Sequence, residues 1–155
     1  MQPESRASDD GPLIGALLRI CWQAVRAQIQ RDLTADGFDD ISAAHLAVFQ
    51  YPSPRGERVT ALADRAGMSR QAITYLIREL EGKGYLELRR DPTDRRASLV
   101  HLTKRGEAAI RAIRASVGRV ERRWEGELGR SRFAQFRGAL LTIVASQGHS
   151  GESDR

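Results

Sequence analysis

Arg70, Gln71, Thr74, Tyr75 and Arg78 recur at helical spacing among the apolar residues Ala72, Ile73, Leu76, Ile77 and Leu80. At 3.6 residues per turn the apolar set forms a buried stripe and the polar set shares the opposite face. Arginine reads guanine edges, glutamine reads adenine edges, and threonine and tyrosine reach phosphate oxygens. Such a face therefore has the chemistry of a helix lying in a DNA major groove. An ordinary solvated, charged helix face is the competing reading of the same residues. A second basic feature follows closely. Asp91, Pro92, Thr93, Asp94, Arg95 and Arg96 form a turn-rich tip with two adjacent guanidinium groups, suited to the narrow, negative minor groove beside a recognition helix. Asp94 facing outward would be repelled by DNA. The spacing predicts that it pairs with Arg96 and fixes the direction of that side chain.

The surrounding pattern supplies the elements that position these residues. Leu13, Leu17, Cys21, Val25, Ile29 and Leu33 mark a long first helix, with Gly37 past its end. Ser42 caps a second, short helix through Phe49, ended by the turn at 52–56. A third helix spans 59–66. Gly67 is a left-handed stop for it, Ser69 caps the next helix, and Gly84 ends that one near Lys83. Residues 85–90 and 97–102 alternate as strands around the charged tip, giving a hairpin. Thr103 caps a long helix bearing Ile110, Ile113, Val117, Val120, Trp124 and Leu128. Gly129 breaks it, and Ser131 caps a last helix with Phe133, Phe136, Leu140, Leu141 and Val144. The chain at 1–11 and 147–155 reads as two disordered tails flanking a single domain at 12–146.

With 155 residues, 41% of them hydrophobic, the chain buries a core without staples. The net charge of +5 favours an anionic partner without naming it. Its location is more informative. Between Arg55 and Arg105 twelve basic residues face seven acids, and the flanks carry thirteen of each sign. The net positive charge thus falls on the helix-turn-helix and hairpin. One cysteine, Cys21, excludes an intramolecular disulfide and points to a reducing compartment. The apolar run at 12–21 is broken by Gly15 and Arg19 and is too short to span a bilayer. The expectation is a cytoplasmic protein without a membrane partner.

The segment at 59–106, VTALADRAGMSRQAITYLIRELEGKGYLELRRDPTDRRASLVHLTKRG, resembles the winged helix of the MarR family of bacterial transcriptional regulators. LEGKGYLELRRDPTDRRA and the following SLVHLTKRG carry the resemblance most sharply, and the order of the flanking helices agrees over about 13–144. The likeness implies a mainly α fold, a winged helix-turn-helix at about 42–106 with a β-hairpin wing. Dimerisation helices at about 12–36 and 107–146 flank it. It implies a homodimer that binds a pseudo-palindromic double-stranded operator, in most members as a repressor. Carried over by position, Arg70, Gln71, Thr74, Tyr75 and Arg78 enter the major groove. Arg96, with Arg95, enters the minor groove, and Ser69 caps the recognition helix and touches phosphate. Regulators of this kind release DNA on binding a small aromatic or phenolic anion between dimer helices and winged helix. Trp22, Arg26, His45 and Trp124 have suitable chemistry for such a ligand, although a tryptophan on an amphipathic helix is more often core.

Some members of the family sense oxidants through a first-helix cysteine. Cys21 lies on the apolar stripe, where an inert buried thiol is expected. His45, His101 and His149 are far apart, no Cys or His pair has metal-ligand spacing, and no phosphate loop or nucleophile elbow is present. No cofactor, metal or catalysis is expected. Asp39 and Asp40 are expected to cap the second helix or stay solvated. Two other functions fit the basic face: a nonspecific architectural DNA protein, and a module binding an acidic protein.

Overall fold

A computed structural model describes residues 11–50 and 55–149. The expected tails at 1–10 and 150–155, and Pro52 of the expected turn, lie outside the described residues. The elements run α1 (Ile14–Ala35), α2 (Leu46–Phe49), β1 (Glu57–Arg58), α3 (Val59–Ala66), α4 (Arg70–Gly82), β2 (Leu86–Arg90), β3 (Ser98–Leu102), α5 (Lys104–Leu128) and α6 (Arg130–His149). The fold is mainly helical with one small antiparallel sheet in the order β1-β3-β2. Two compact units divide within α5, the first reaching Ile113 and the second starting at Arg114.

The core of the first unit is where the periodicity places it. Ile73, Ile77 and Leu80 of α4 are buried with Leu62 of α3, Leu46 and Phe49 of α2, and Leu86 and Val100 of the hairpin. Gly67 closes α3 at φ +60°, a left-handed turn that an L side chain resists, and the Ser69 hydroxyl caps α4 by accepting the Ala72 amide at 3.1 Å. Leu86 pairs with Leu102 and Arg90 with Ser98, so the hairpin register holds from base to tip. A third strand, β1, pairs Glu57 with Val100 and Arg58 with Leu99. Two residues are too few to show a period, which is why the sequence pattern does not announce it.

A polar knot joins α4, the hairpin and α5. The Thr103 hydroxyl donates to the Gly84 carbonyl at 2.6 Å and accepts the Gly106 amide at 3.1 Å, while the Thr103 amide donates to the Tyr85 carbonyl at 3.1 Å. Tyr85 is fully buried, in edge contact with Phe49, and Arg105 lies 4.2 Å over its ring. Its hydroxyl donates to the Asp40 carboxylate, which also accepts from Arg105 Nη2 at 3.0 Å. Burial, the Asp40 hydrogen bond and the Asp40 charge push the Tyr85 phenol up to about 12. Burial alone would raise the Asp40 carboxyl. The Tyr85 hydroxyl and Arg105 outweigh it and hold Asp40 below the ordinary aspartate value. Asp40 thus anchors the loop before α2 to the knot, correcting the expectation of a cap or a solvated acid.

Other expectations shift as well. Ser42 does not cap α2: its amide donates to Nδ1 of His45 at 2.9 Å, residues 43–45 form a turn, and the helix begins at Leu46. On α1 only Ile29 and Leu33 of the predicted stripe are buried. Leu13 and Leu17 are exposed, and so is Cys21, which corrects the expectation of a buried thiol. In the second unit Gly129 turns the chain at φ +81° and Arg130 pairs with Glu125 at 3.4 Å. There α6 continues through His149, past the expected tail boundary at 147. A single helical glycine, Gly148, costs only about 1 kcal/mol and does not stop it.

Candidate nucleic-acid interface

Four of the five residues predicted for the outer face of α4 are exposed: Arg70, Gln71, Tyr75 and Arg78. Thr74 is half-buried, and its hydroxyl proton is spent on the Arg70 carbonyl at 2.6 Å, so only its oxygen lone pairs remain to face outward. Tyr75 is 62% exposed, an aromatic side chain left mostly open by the described chain. Arg70 and Gln71 occupy the first helical turn, directly after the Ser69 cap. That is the end of a recognition helix that reaches base edges first.

The wing brings a second set of cations beside the first. Arg95 and Arg96 are exposed at its tip. Arg96, Asp94, Ala97 and Ser98 line a cleft of about 400 Å³ whose other wall includes Arg70 and Thr74 of α4, with Arg58, Val59 and Thr60 from β1 and α3. Wing tip and recognition helix therefore share one open groove. The base of the wing is held to α4 by the Leu88 amide, which donates to Glu81 Oε1 at 3.3 Å.

The tip is built differently from the sequence expectation. Asp94 Oδ1 accepts the backbone amide of Arg96 at 3.0 Å, not the Arg96 guanidinium, because the turn closes with the Ala97 amide on the Asp94 carbonyl at 2.9 Å. Asp94 shapes the backbone that carries Arg96. Asp94→Asn, which keeps the acceptor, is therefore expected to retain most DNA affinity. Asp94→Ala, which loses an acceptor worth about 0.5–1.5 kcal/mol, should weaken binding several-fold. Equal losses in a titration of both variants would mean that the carboxylate charge is what matters.

Asp91, named in the sequence only as part of the tip, is the organising residue. It is 5% exposed. Its Oδ1 accepts the Thr93 amide at 2.8 Å and the Thr93 hydroxyl at 2.6 Å, and its Oδ2 accepts Arg58 Nε at 2.8 Å and Nη2 at 2.6 Å. The Thr93 hydrogen bonds, and then Arg58, hold the Asp91 carboxyl at about 2, against an ordinary 3.8. The depressed value means the folded wing prefers the carboxylate. This contribution to stability is complete above about pH 4 and is lost as the pH falls through about 2. A carboxyl-carbon NMR titration should find the Asp91 midpoint near 2. A midpoint near 4 would mean the cluster does not hold in solution. Arg58 and Asp91 lie 33 residues apart, so no local spacing betrays the pair.

Of the residues proposed for a ligand, Trp22 and Arg26 share a pocket that His45 does not line. Trp22 and Arg26 line an open pocket of about 490 Å³ with Ala43, Ala44, Ala47, Gln50, Ala66 and Met68. His45 is buried and committed elsewhere: Nδ1 accepts from Ser42, and Nε2 faces Glu79 Oε2 at 3.3 Å. Burial lowers its pKa against the opposing pull of Glu79, which keeps the ring neutral. Trp124 is half-buried in the second unit.

Residues 55–97 match the MarR family. No curated protein matches the chain. Among solved structures, a MarR-family transcriptional regulator from Rhodococcus sp. RHA1 is 24% identical, with a TM-score of 0.71, over 90% of this chain and 96% of its own. CouR from Rhodococcus jostii RHA1, bound to p-coumaroyl-CoA, is 26% identical with a TM-score of 0.69, over 90% and 95%. FabT from Streptococcus pneumoniae, in complex with DNA, is 20% identical with a TM-score of 0.71, over 88% and 96%.

Proposed function

As a MarR-family chain, by its residues 55–97 and its winged-helix fold, this protein is, we propose, a sequence-specific double-stranded DNA-binding transcriptional regulator. It represses by holding a pseudo-palindromic operator as a homodimer, in the cytoplasm and without catalysis. The observation that carries this reading is the shared cleft, where the first turn of α4 and the wing tip present Arg70 and Arg96 to one ligand. Gln71, Tyr75 and Arg78 extend the same surface along α4, and Ser69 and Arg95 flank it. The DNA complex of FabT, which has the same fold, is consistent with it. Among the described residues no helix is long and apolar enough to cross a membrane.

Dimerisation draws support from apolar side chains that the described chain leaves open. Leu13 and Ile14, at the start of α1, are 78% and 72% exposed, and Val144 on α6 is 68% exposed. Large apolar side chains left open in each unit favour association, and a second copy is the occupant we assign. Two-fold symmetry then sets two half-sites roughly 10 base pairs apart. A solution molar mass of one chain would exclude this arrangement.

The effector is a small aromatic or phenolic anion. Its ring would lie on Trp22, and its carboxylate would pair with Arg26, which has no ion pair among the described residues. CouR, the structural relative that carries an aromatic acyl-CoA, favours that class. A thermal-shift screen with aromatic carboxylic acids tests it. No stabilisation by any of them, or stabilisation that survives Arg26→Ala, would count against the pocket.

The decisive experiment incubates the purified protein with fragmented genomic DNA from its source, recovers what is held at moderate salt, and sequences it. Enrichment of a pseudo-palindrome, bound at least about a thousandfold more tightly than random duplex, is the expected result. Recovery with no shared sequence would favour architectural binding. No recovery would favour an acidic protein partner.

A further inference from the structure

A helix in the major groove and a wing in the adjacent minor groove leave one thing between them, the sugar-phosphate strand that divides the two grooves. In this protein the space between them is the cleft of about 400 Å³. Part of its polar lining is committed inward. The Thr74 hydroxyl donates to its own helix and Asp94 accepts the Arg96 amide. Arg70 and Arg96 are already placed as groove readers. Arg58 remains. Its Nε and Nη2 are fixed on the buried Asp91, its side chain is 46% exposed, and Nη1 has no partner among the described residues. A guanidinium held at one edge and open at the other is oriented for a planar, anionic contact before any ligand arrives.

We propose that this cleft is a phosphodiester site. In it Arg58, braced by Asp91, grips the DNA strand that separates the groove read by α4 from the groove read by the wing. The proposal rests on the DNA-binding reading above and adds a contact that sequence pattern did not supply. A phosphate contact fixes register and adds affinity without reading bases, so its loss weakens every sequence alike. Asp91 is a positioning residue, orienting Arg58 with one carboxylate oxygen while the other holds the Thr93 turn.

The test uses the full chain, a short duplex of random sequence, and the operator recovered from genomic DNA. In the double variant Arg58→Gln with Asp91→Asn, one positive and one negative charge go together. The net charge is unchanged and a neutral hydrogen bond can replace the ion pair. The plot of log affinity against log salt is expected to become shallower by about 0.9 per protomer. Affinity should fall by the same factor on operator and random duplex, leaving the ratio between them unchanged. An unchanged slope in a variant that melts like wild type would reduce Arg58 to a structural partner of Asp91 and overturn the proposal. Should the double variant not fold, Ser98→Glu decides. It sets a carboxylate at an exposed position on the cleft wall and is expected to cut random-duplex affinity by about tenfold or more. Unimpaired binding by that variant means no strand passes there. Wild type that holds no duplex at any salt would remove the DNA reading itself, an outcome visible before any variant is made.

Discussion

Arg70→Ala is expected to lower affinity for the recovered operator by roughly ten- to a hundredfold per half-site. It should also flatten sequence preference at the base pair it reads, as loss of a bidentate guanine contact worth about 1–3 kcal/mol would. Arg70 is the first residue of α4, exposed, with the Ser69 cap behind it and the shared cleft in front. Removing its side chain leaves the cap, the buried stripe and the Thr74 hydrogen bond to its carbonyl intact, so the melting temperature should stay where it was. Arg78 is the internal control. Eight residues further along α4 it lies about 12 Å away along the axis, beyond the end that enters the groove first. Arg78→Ala should cost less and cost it evenly across sequences, as a backbone contact does. A selection repeated with Arg70→Ala that recovers the same motif at full sharpness would remove Arg70 from base readout.

Gly106→Ala should be strongly destabilising for so small a change. A β-carbon on Gly106 would overlap the Tyr85 carbonyl oxygen and come within 3.1 Å of Leu102 Cδ2. The Tyr85 carbonyl cannot withdraw, because it accepts the Thr103 amide and its ring is buried against Phe49 under Arg105. Two effects oppose each other. Alanine favours a helix over glycine by up to about 1 kcal/mol, while overpacking a rigid contact costs typically about 1–3 kcal/mol, occasionally more. The severe overlap is with the Tyr85 backbone, which has no flexible end to yield, so the steric cost wins. At about 2–4 °C per kcal/mol for a chain of this size, the melting temperature should fall by several degrees. DNA affinity should fall with it, since the knot sets the wing against α4. A rise in melting temperature would show that α5 does not approach the hairpin this closely.

How much of this was legible in the sequence follows from the range of the interactions. The α4 stripe, the Ser69 cap, the Gly67 stop and the hairpin register are local. Each is written within a few residues, and the structure agrees with each. What the spacing missed is long-range. Arg58 meets Asp91, and Asp40 meets Tyr85 and Arg105, across 33 to 65 residues. A charge in a loop carries no mark of whether it is solvated or paired. The Asp94 expectation failed for a related reason. The spacing correctly joined it to Arg96, but a carboxylate two residues away reaches a backbone amide more readily than the end of a long side chain. Cys21 and the N-terminal half of α1 read as core because apolar periodicity reports that a face is to be covered, not that its own chain covers it.

The wing is ordered before it meets anything. Its acids close the turn, its arginine pair points outward, and its base is tied to α4 and β1. Binding DNA then requires no folding step at the tip and immobilises few side chains, each of which would otherwise cost about 0.5–1.5 kcal/mol. Association should proceed at a rate set by diffusion and charge steering and nearly the same for good and poor operators. Discrimination among sites would then reside in how long the protein stays.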